Sequence, residues 1–153
     1  MQYGARDTLE RFLTAASSVK RVRVSGLSGE AAEASGIASL IRQRNLDTFT
    51  DTVCVGACTI AFLAGSKRHV GKAARLGFAQ SPLANEDRLP VAKHDLRAML
   101  RTVNVPDWFA GRALGASAAQ PWYPTFEELL AARIIQAQPE GANQAGAPPR
   151  PPR

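Results

Sequence analysis

The stretch DTVCVGACTIAFLAG, residues 51–65, decides how this chain is read. Asp51 to Val55 is rich in β-branched residues, which favour extended strands. Ala57 to Ala64 is apolar nearly all round, the mark of a buried helix. Gly56 stands at the junction, and Gly65 suits a helix stop. Strand-to-helix elbows of this kind often carry a nucleophile. The bend residue here is Gly56, which has no side chain to react.

Working outward, the strand extends back to Thr48, giving one strand over Thr48 to Val55. Upstream, Leu9, Phe12, Leu13 and Ala16 fall on one stripe of a helix over residues 6–17. Lys20 to Val24 alternates charge and valine, a short strand with one buried face. The turn Ser25-Gly26-Leu27-Ser28-Gly29 leads into a second helix, Glu30 to Arg44, with the stripe Ala34, Ile37, Ala38 and Ile41. Glu30 and Glu33 suit its positive end. Downstream, His69-Val70 and Arg75 to Ala79 read as a strand pair, and 81–88 as a loop. Val91 to Val103 reads as a helix with Leu96, Met99, Leu100 and Val103 on one side. Pro106 opens another that stops near Gly115. Thr125-Phe126-Glu127-Glu128 matches a capping box and starts a helix to about Arg133. Strands alternating with helices give an α/β fold.

The chain has 153 residues, which fits one domain. The reading assigns residues 1–137 to it and leaves 138–153, PEGANQAGAPPRPPR with the residue before it, as a disordered Pro/Gly-rich tail. Net charge is +6, which raises nucleic acid as a partner. The basic residues are scattered, however, and no aromatic ladder interleaves them, so solvated basic faces account for the charge. No apolar run reaches 18 residues, so no membrane span is expected. The N-terminus MQYGARDTLERFL lacks the apolar core and cleavage site of a signal peptide, which makes a cytoplasmic location the default.

Cys54 and Cys58, the only two cysteines, build no disulfide framework, and a lone C-x3-C has poor zinc spacing. Buried free thiols are the expectation. Cys58, two residues inside the helix, is expected to turn away from the elbow as a core thiol. His69 sits in the basic run Lys67-Arg68-His69 and is expected to be exposed. His94 and Asp95 are adjacent on a helix and point apart. Ser28 and Ser81 suit turn or capping roles. In α/β folds, sites form where strands end and helix N-termini present amides. Two such places stand out: Ser25 to Gly29, and Val55-Gly56-Ala57.

Three blocks together resemble one family: SGLSGEAAEASGIASLIRQRNLDT (25–48), VCVGACTIAFLAGSKRHVGKAARLGF (53–78) and WYPTFEELLAARII (122–135). In order and spacing they resemble the Clp-protease-like proteins of the Clp/crotonase superfamily, notably a bacterial group described as predicted periplasmic or secreted. The resemblance covers roughly residues 8–135. It implies a ββα spiral that assembles into oligomers. Such domains begin with one or two strands upstream of anything readable here, which leaves open a shortened domain, and with it a periplasmic location if the N-terminus is truncated.

The family's chemistry is serine peptide hydrolysis by a serine, histidine and acid, with backbone amides holding the oxyanion. The family's elbow Cys-Ala-Ser-Ala-Cys corresponds here to Cys54-Val55-Gly56-Ala57-Cys58, so Gly56 occupies the nucleophile position. Its Leu-Gly-Phe-His becomes Leu76-Gly77-Phe78-Ala79, so Ala79 occupies the base position. The acid falls near Ala118-Ala119-Gln120-Pro121, which holds no carboxylate. Gly26-Leu27-Ser28-Gly29 stands where Ser-Pro-Gly-Gly would be, so an oxyanion-type backbone notch at Gly29 and Ala57 is expected to persist. The resulting expectation is a degenerate, non-catalytic member acting by binding or assembly. It would use no cofactor or metal, form homo-oligomers or associate with related subunits, and offer a place for a peptide or acyl ligand. The alternatives are residual peptidase activity and a crotonase-type acyl-thioester enzyme in which Glu30 or Glu33 moves the proton.

Overall fold

The computed structural model describes residues 4–27, 29–79 and 89–136. The 81–88 loop, Ser28, Ser81, the 137/138 boundary and the tail after it lie outside the described residues. The elements run α1 (Ala5–Ala15), β1 (Arg21–Arg23), α2 (Ala31–Gln43), β2 (Asp47–Thr50), β3 (Val53–Val55), α3 (Ala57–Leu63), β4 (Arg68–Val70), β5 (Arg75–Gly77), α4 (Leu89–Thr102), α5 (Asp107–Gly115) and α6 (Phe126–Ala131).

The strands form two parallel sheets, one in the order β1-β2-β4 and the other pairing β3 with β5. Gly26 adds an isolated parallel bridge to Cys54, so the second layer reads Gly26, β3, β5. The chain therefore visits the first sheet, then the second, then a helix, and repeats: β1, Gly26, α2; then β2, β3, α3. Both layers grow in the same direction, which is the winding of a ββα spiral.

This winding corrects two expectations. Thr48 to Val55 is not one strand. Asp51 and Thr52 break it, and its halves enter different sheets, with Thr48 opposite Arg68 and Cys54 opposite Leu76. Nor do the two later strands pair with each other; β4 joins β2 and β5 joins β3. A β-branched run shows that a segment is extended but not which sheet receives it.

The helices bury the stripes their spacing predicts. In α2, Ala34, Ile37, Ala38 and Ile41 are all buried, and every residue of α3 is buried. Met99 and Leu100 of α4 join the same core, with Leu96 and Val103 packed against it. The stripe of α1 holds less well: Leu13 is buried but Phe12 is 58% exposed. The Thr125 capping box is present, with Glu128 N–H donating to Thr125 Oγ1 at 3.2 Å and Thr125 N–H to Glu128 Oε2 at 2.8 Å. The helix it opens ends at Ala131, before Arg133.

Arg68 locks the end of the described chain onto the spiral. It is buried on β4 rather than in a basic loop. Its guanidinium donates to the carbonyls of Gly65 (2.8 Å), Arg133 (3.1 Å) and Ile134 (2.6 Å). Burial holds its pKa below the usual arginine value. Its main chain exchanges two further bonds with Gln136, N–H to Gln136 Oε1 and carbonyl from Gln136 N–H.

Candidate functional site at the β3–α3 elbow

The second layer sets the elbow. Gly26 N–H donates to the Val53 carbonyl and Val55 N–H to the Gly26 carbonyl, both at 2.9 Å, so the turn before α2 is tied to β3. At the end of β3 the backbone swings through Gly56, with φ 65° and ψ −121°, and α3 begins at Ala57. Side-chain-bearing residues avoid this region, at a cost of about 1–3 kcal/mol. A sharp strand-to-helix turn is the geometry that lifts a nucleophile clear of a sheet. Here it lifts a glycine.

Among the described residues, a Cβ placed on Gly56 meets only the Ala79 carbonyl oxygen, at an ordinary 3.5 Å. Ala79 follows β5 through Phe78, and Phe78 and Trp122 exchange N–H to carbonyl bonds at 2.8 and 2.9 Å in an antiparallel bridge. The chain before Trp122 thus arrives beside Ala79. This is the 118–121 segment, which closes a turn by mutual main-chain bonds between Ser117 and Gln120. Phe78, Phe109 and Trp122 form an aromatic cluster beneath it, with centroids 4.7–5.6 Å apart. Gly77 admits no side chain: a Cβ would lie 2.6 Å from Tyr123 and 2.8 Å from Val55.

The cysteines depart from expectation. Cys54 and Cys58 form a disulfide with a Cα separation of 5.3 Å, and neither remains a free thiol. Cys58 does not turn away from the elbow but reaches back across it to β3. The bend explains the error, because a strand followed by a helix folds positions i and i+4 onto each other around Gly56. Thr59, which sequence reasoning passed over, adds a second tie: its hydroxyl donates to the Gly77 carbonyl at 2.6 Å. A lone threonine in an apolar helix was the available sign, since a buried hydroxyl requires a partner.

Ala57 begins α3, while Gly29 is buried just before the Glu30 N-cap of α2. Gly29 and Glu30 both have interaction partners within the chain. Glu33 serves α1: its carboxylate accepts from Arg6 N–H and Gly4 N–H, both at 3.1 Å, and these bonds hold its pKa below the ordinary value. His69 is not an exposed loop residue. It lies half-buried on β4 opposite Phe49, with Nδ1 unpartnered. Burial, then Arg21, lowers its pKa; Asp47 opposes and Lys67 assists. It lies in the first sheet, whereas Gly56 and Ala79 follow the paired strands β3 and β5 of the second. His94 lies in α4.

Two layered parallel sheets with a sharp elbow between the second layer and a buried helix define a Clp-protease-like α/β spiral. No protein-family model and no curated protein matches this chain. Solved structures do. The ClpP protease catalytic domain from Plasmodium falciparum superposes with a TM-score of 0.69 at 13% identity, over 95% of this chain and 84% of that one. A peptidase from the same organism gives 0.64 at 14% identity, over 88% of each chain. The membrane-bound stomatin-specific protease 1510-N, in complex with a substrate peptide, gives 0.63 at 15% identity, over 86% of this chain and 67% of that one. At such identities the likeness is one of fold. No helix among the described residues is long and apolar enough to cross a membrane.

Proposed function

We propose that this chain is a non-catalytic Clp-protease-like protein that acts by binding or assembly. One observation supports the reading: the positions that a serine and a histidine would fill are Gly56 and Ala79, and a Cβ built on Gly56 would lie 3.5 Å from the Ala79 carbonyl oxygen. The two positions lie near each other at the elbow, yet neither residue bears a reactive group. The two cysteines flanking the bend, Cys54 and Cys58, are held in a disulfide, and neither is a substitute nucleophile. Losing any one triad member costs a serine enzyme several orders of magnitude in rate, so a site lacking two has no serine–histidine route to peptide hydrolysis. The commitment of Glu33 to α1 weighs against a crotonase-type proton carrier at that residue.

Assembly with copies of itself or with related subunits is the favoured mode of action. Phe12, Leu27, Trp108 and Phe126, on four separate segments, are each 45–73% exposed, and apolar side chains of this size can anchor subunit contacts. A peptide or acyl group held at the elbow, beside the Ala57 start of α3, is the corresponding ligand proposal. The test is a fluorophosphonate probe on the purified full chain, read by intact mass. No adduct is expected, and stoichiometric labelling overturns the reading. Native mass spectrometry on the same sample reports the assembly.

A further inference from the structure

We propose that the Cys54–Cys58 pair is an oxidation site: a partner of the disulfide-donor class closes it before α3 packs, so the chain folds in an oxidising compartment. The inference does not depend on whether the elbow is catalytic.

Both cysteines are 0% exposed, one on β3 and the other inside α3. Every residue of α3 is buried, and the helix packs against α2 and α4. No thiol or disulfide reagent reaches either sulfur while these helices are in place. The bond must therefore form while the elbow is still accessible. Their Cα separation of 5.3 Å falls within the 4.4–6.8 Å span of disulfides. An unbent strand would hold positions i and i+4 about 13 Å apart. The chain bent at Gly56 therefore accommodates the bond, which a straight strand could not.

The chemistry balances with one co-reactant. A thiolate of the pair attacks the donor's disulfide and gives a mixed disulfide. The second cysteine thiolate then displaces the donor as a dithiol. The pair loses two electrons and two protons, and the donor gains them. The chain contains two cysteines, so one intramolecular pairing exists and no isomerisation is needed. Burial also denies the finished bond to exchange with other proteins, so it is installed once and not turned over. Reducing compartments keep such pairs as thiols, whereas oxidising ones let them close.

The test uses the full chain prepared from an oxidising compartment. Denatured without reductant and treated with N-ethylmaleimide, it is expected to gain no adduct, and two after reduction. Two adducts without reductant overturn the proposal. The reduced, denatured chain is then refolded with oxidised glutathione present from the start, or added only after refolding. Early addition is expected to close the bond at least about tenfold faster, as access governs exchange; equal rates overturn burial before oxidation. Failure of the reduced chain to refold supports an early requirement for the bond. A Cys54→Ala/Cys58→Ala variant supplies the control. Its Tm should ignore reductant, while wild type refolded in reductant drops toward the variant's value. An unchanged wild-type Tm removes the bond from the native fold.

Discussion

A Cβ on Gly56 would lie 3.5 Å from the carbonyl oxygen of Ala79, an ordinary contact, yet the Gly56 backbone stands at φ 65° and ψ −121°. Space and backbone therefore make opposite demands at this residue. Gly56→Ala should destabilise through the backbone alone, by about 1–3 kcal/mol. Urea unfolding with an unchanged m-value would show it. The Gly56→Ser/Ala79→His variant should pass the same test of folding, and adduct formation with a fluorophosphonate would show that the two positions cooperate.

Gly65 presents the reverse case. Its backbone is unremarkable, but a Cβ would fall 2.2 Å from Thr48 Oγ1 and 2.8 Å from Thr48 N. The second atom is backbone in β2 and cannot rotate aside. Gly65→Ala should therefore cost more than Gly56→Ala, on the order of 3 kcal/mol or above, by overpacking. Comparing the two midpoints in one denaturant series checks the ranking, and an equal loss would contradict it.

Thr59 lies at 1% exposure and donates its hydroxyl to Gly77 O at 2.6 Å, joining α3 to β5 beside the elbow. Thr59→Val keeps the shape and leaves that buried carbonyl short of a donor. The expected loss is about 1–3 kcal/mol. Hydrogen exchange should rise first in β5 and at the start of α3, because that tie holds the two together.

The periodic stripes of α2 and α4 and the Thr125 capping box were legible in the sequence because each depends on neighbours within two helical turns. The split at Asp51-Thr52 was not, because the choice between sheets is made by partners far along the chain, Arg68 for Thr48 and Leu76 for Cys54. The disulfide was missed for a related reason. C-x3-C alone does not say whether its cysteines meet, and here the Gly56 bend brings the strand and helix positions together. Arg68 read as one charge in a basic run, since its carbonyl partners at 133 and 134 lie 65 and 66 residues away. At the site, Gly56 and Ala79 were picked out by resemblance, and their adjacency emerges only when β3 and β5 pair.

Arg68 gives a sharp test of that long-range closure. Three carbonyls share its guanidinium, and no ammonium group reproduces a planar fork. Arg68→Lys should lose roughly 2–4 kcal/mol despite conserving charge, since buried acceptors are left unmade. The 133–136 segment should become the first protease-sensitive site. A variant with wild-type protease resistance would show that the segment is held by other contacts.

His69 supplies the pH dependence. Burial, Arg21 and Lys67 depress its pKa in the fold against the opposing pull of Asp47, while the unfolded chain titrates near 6.5. Below that pH the unfolded chain binds a proton that the folded chain refuses. Stability therefore rises with pH through this window and is lost as pH falls from about 6.5 toward the folded value. Glu33 and Glu128 act in a lower window. Both are held below the ordinary carboxylate value chiefly by backbone N–H donors, so their contribution is complete above about 4.5 and fades beneath it. His69→Gln should flatten the upper slope and leave the lower one unchanged. Midpoints of urea unfolding measured across both windows separate the two effects, and an upper slope that survives the substitution would assign it to another group.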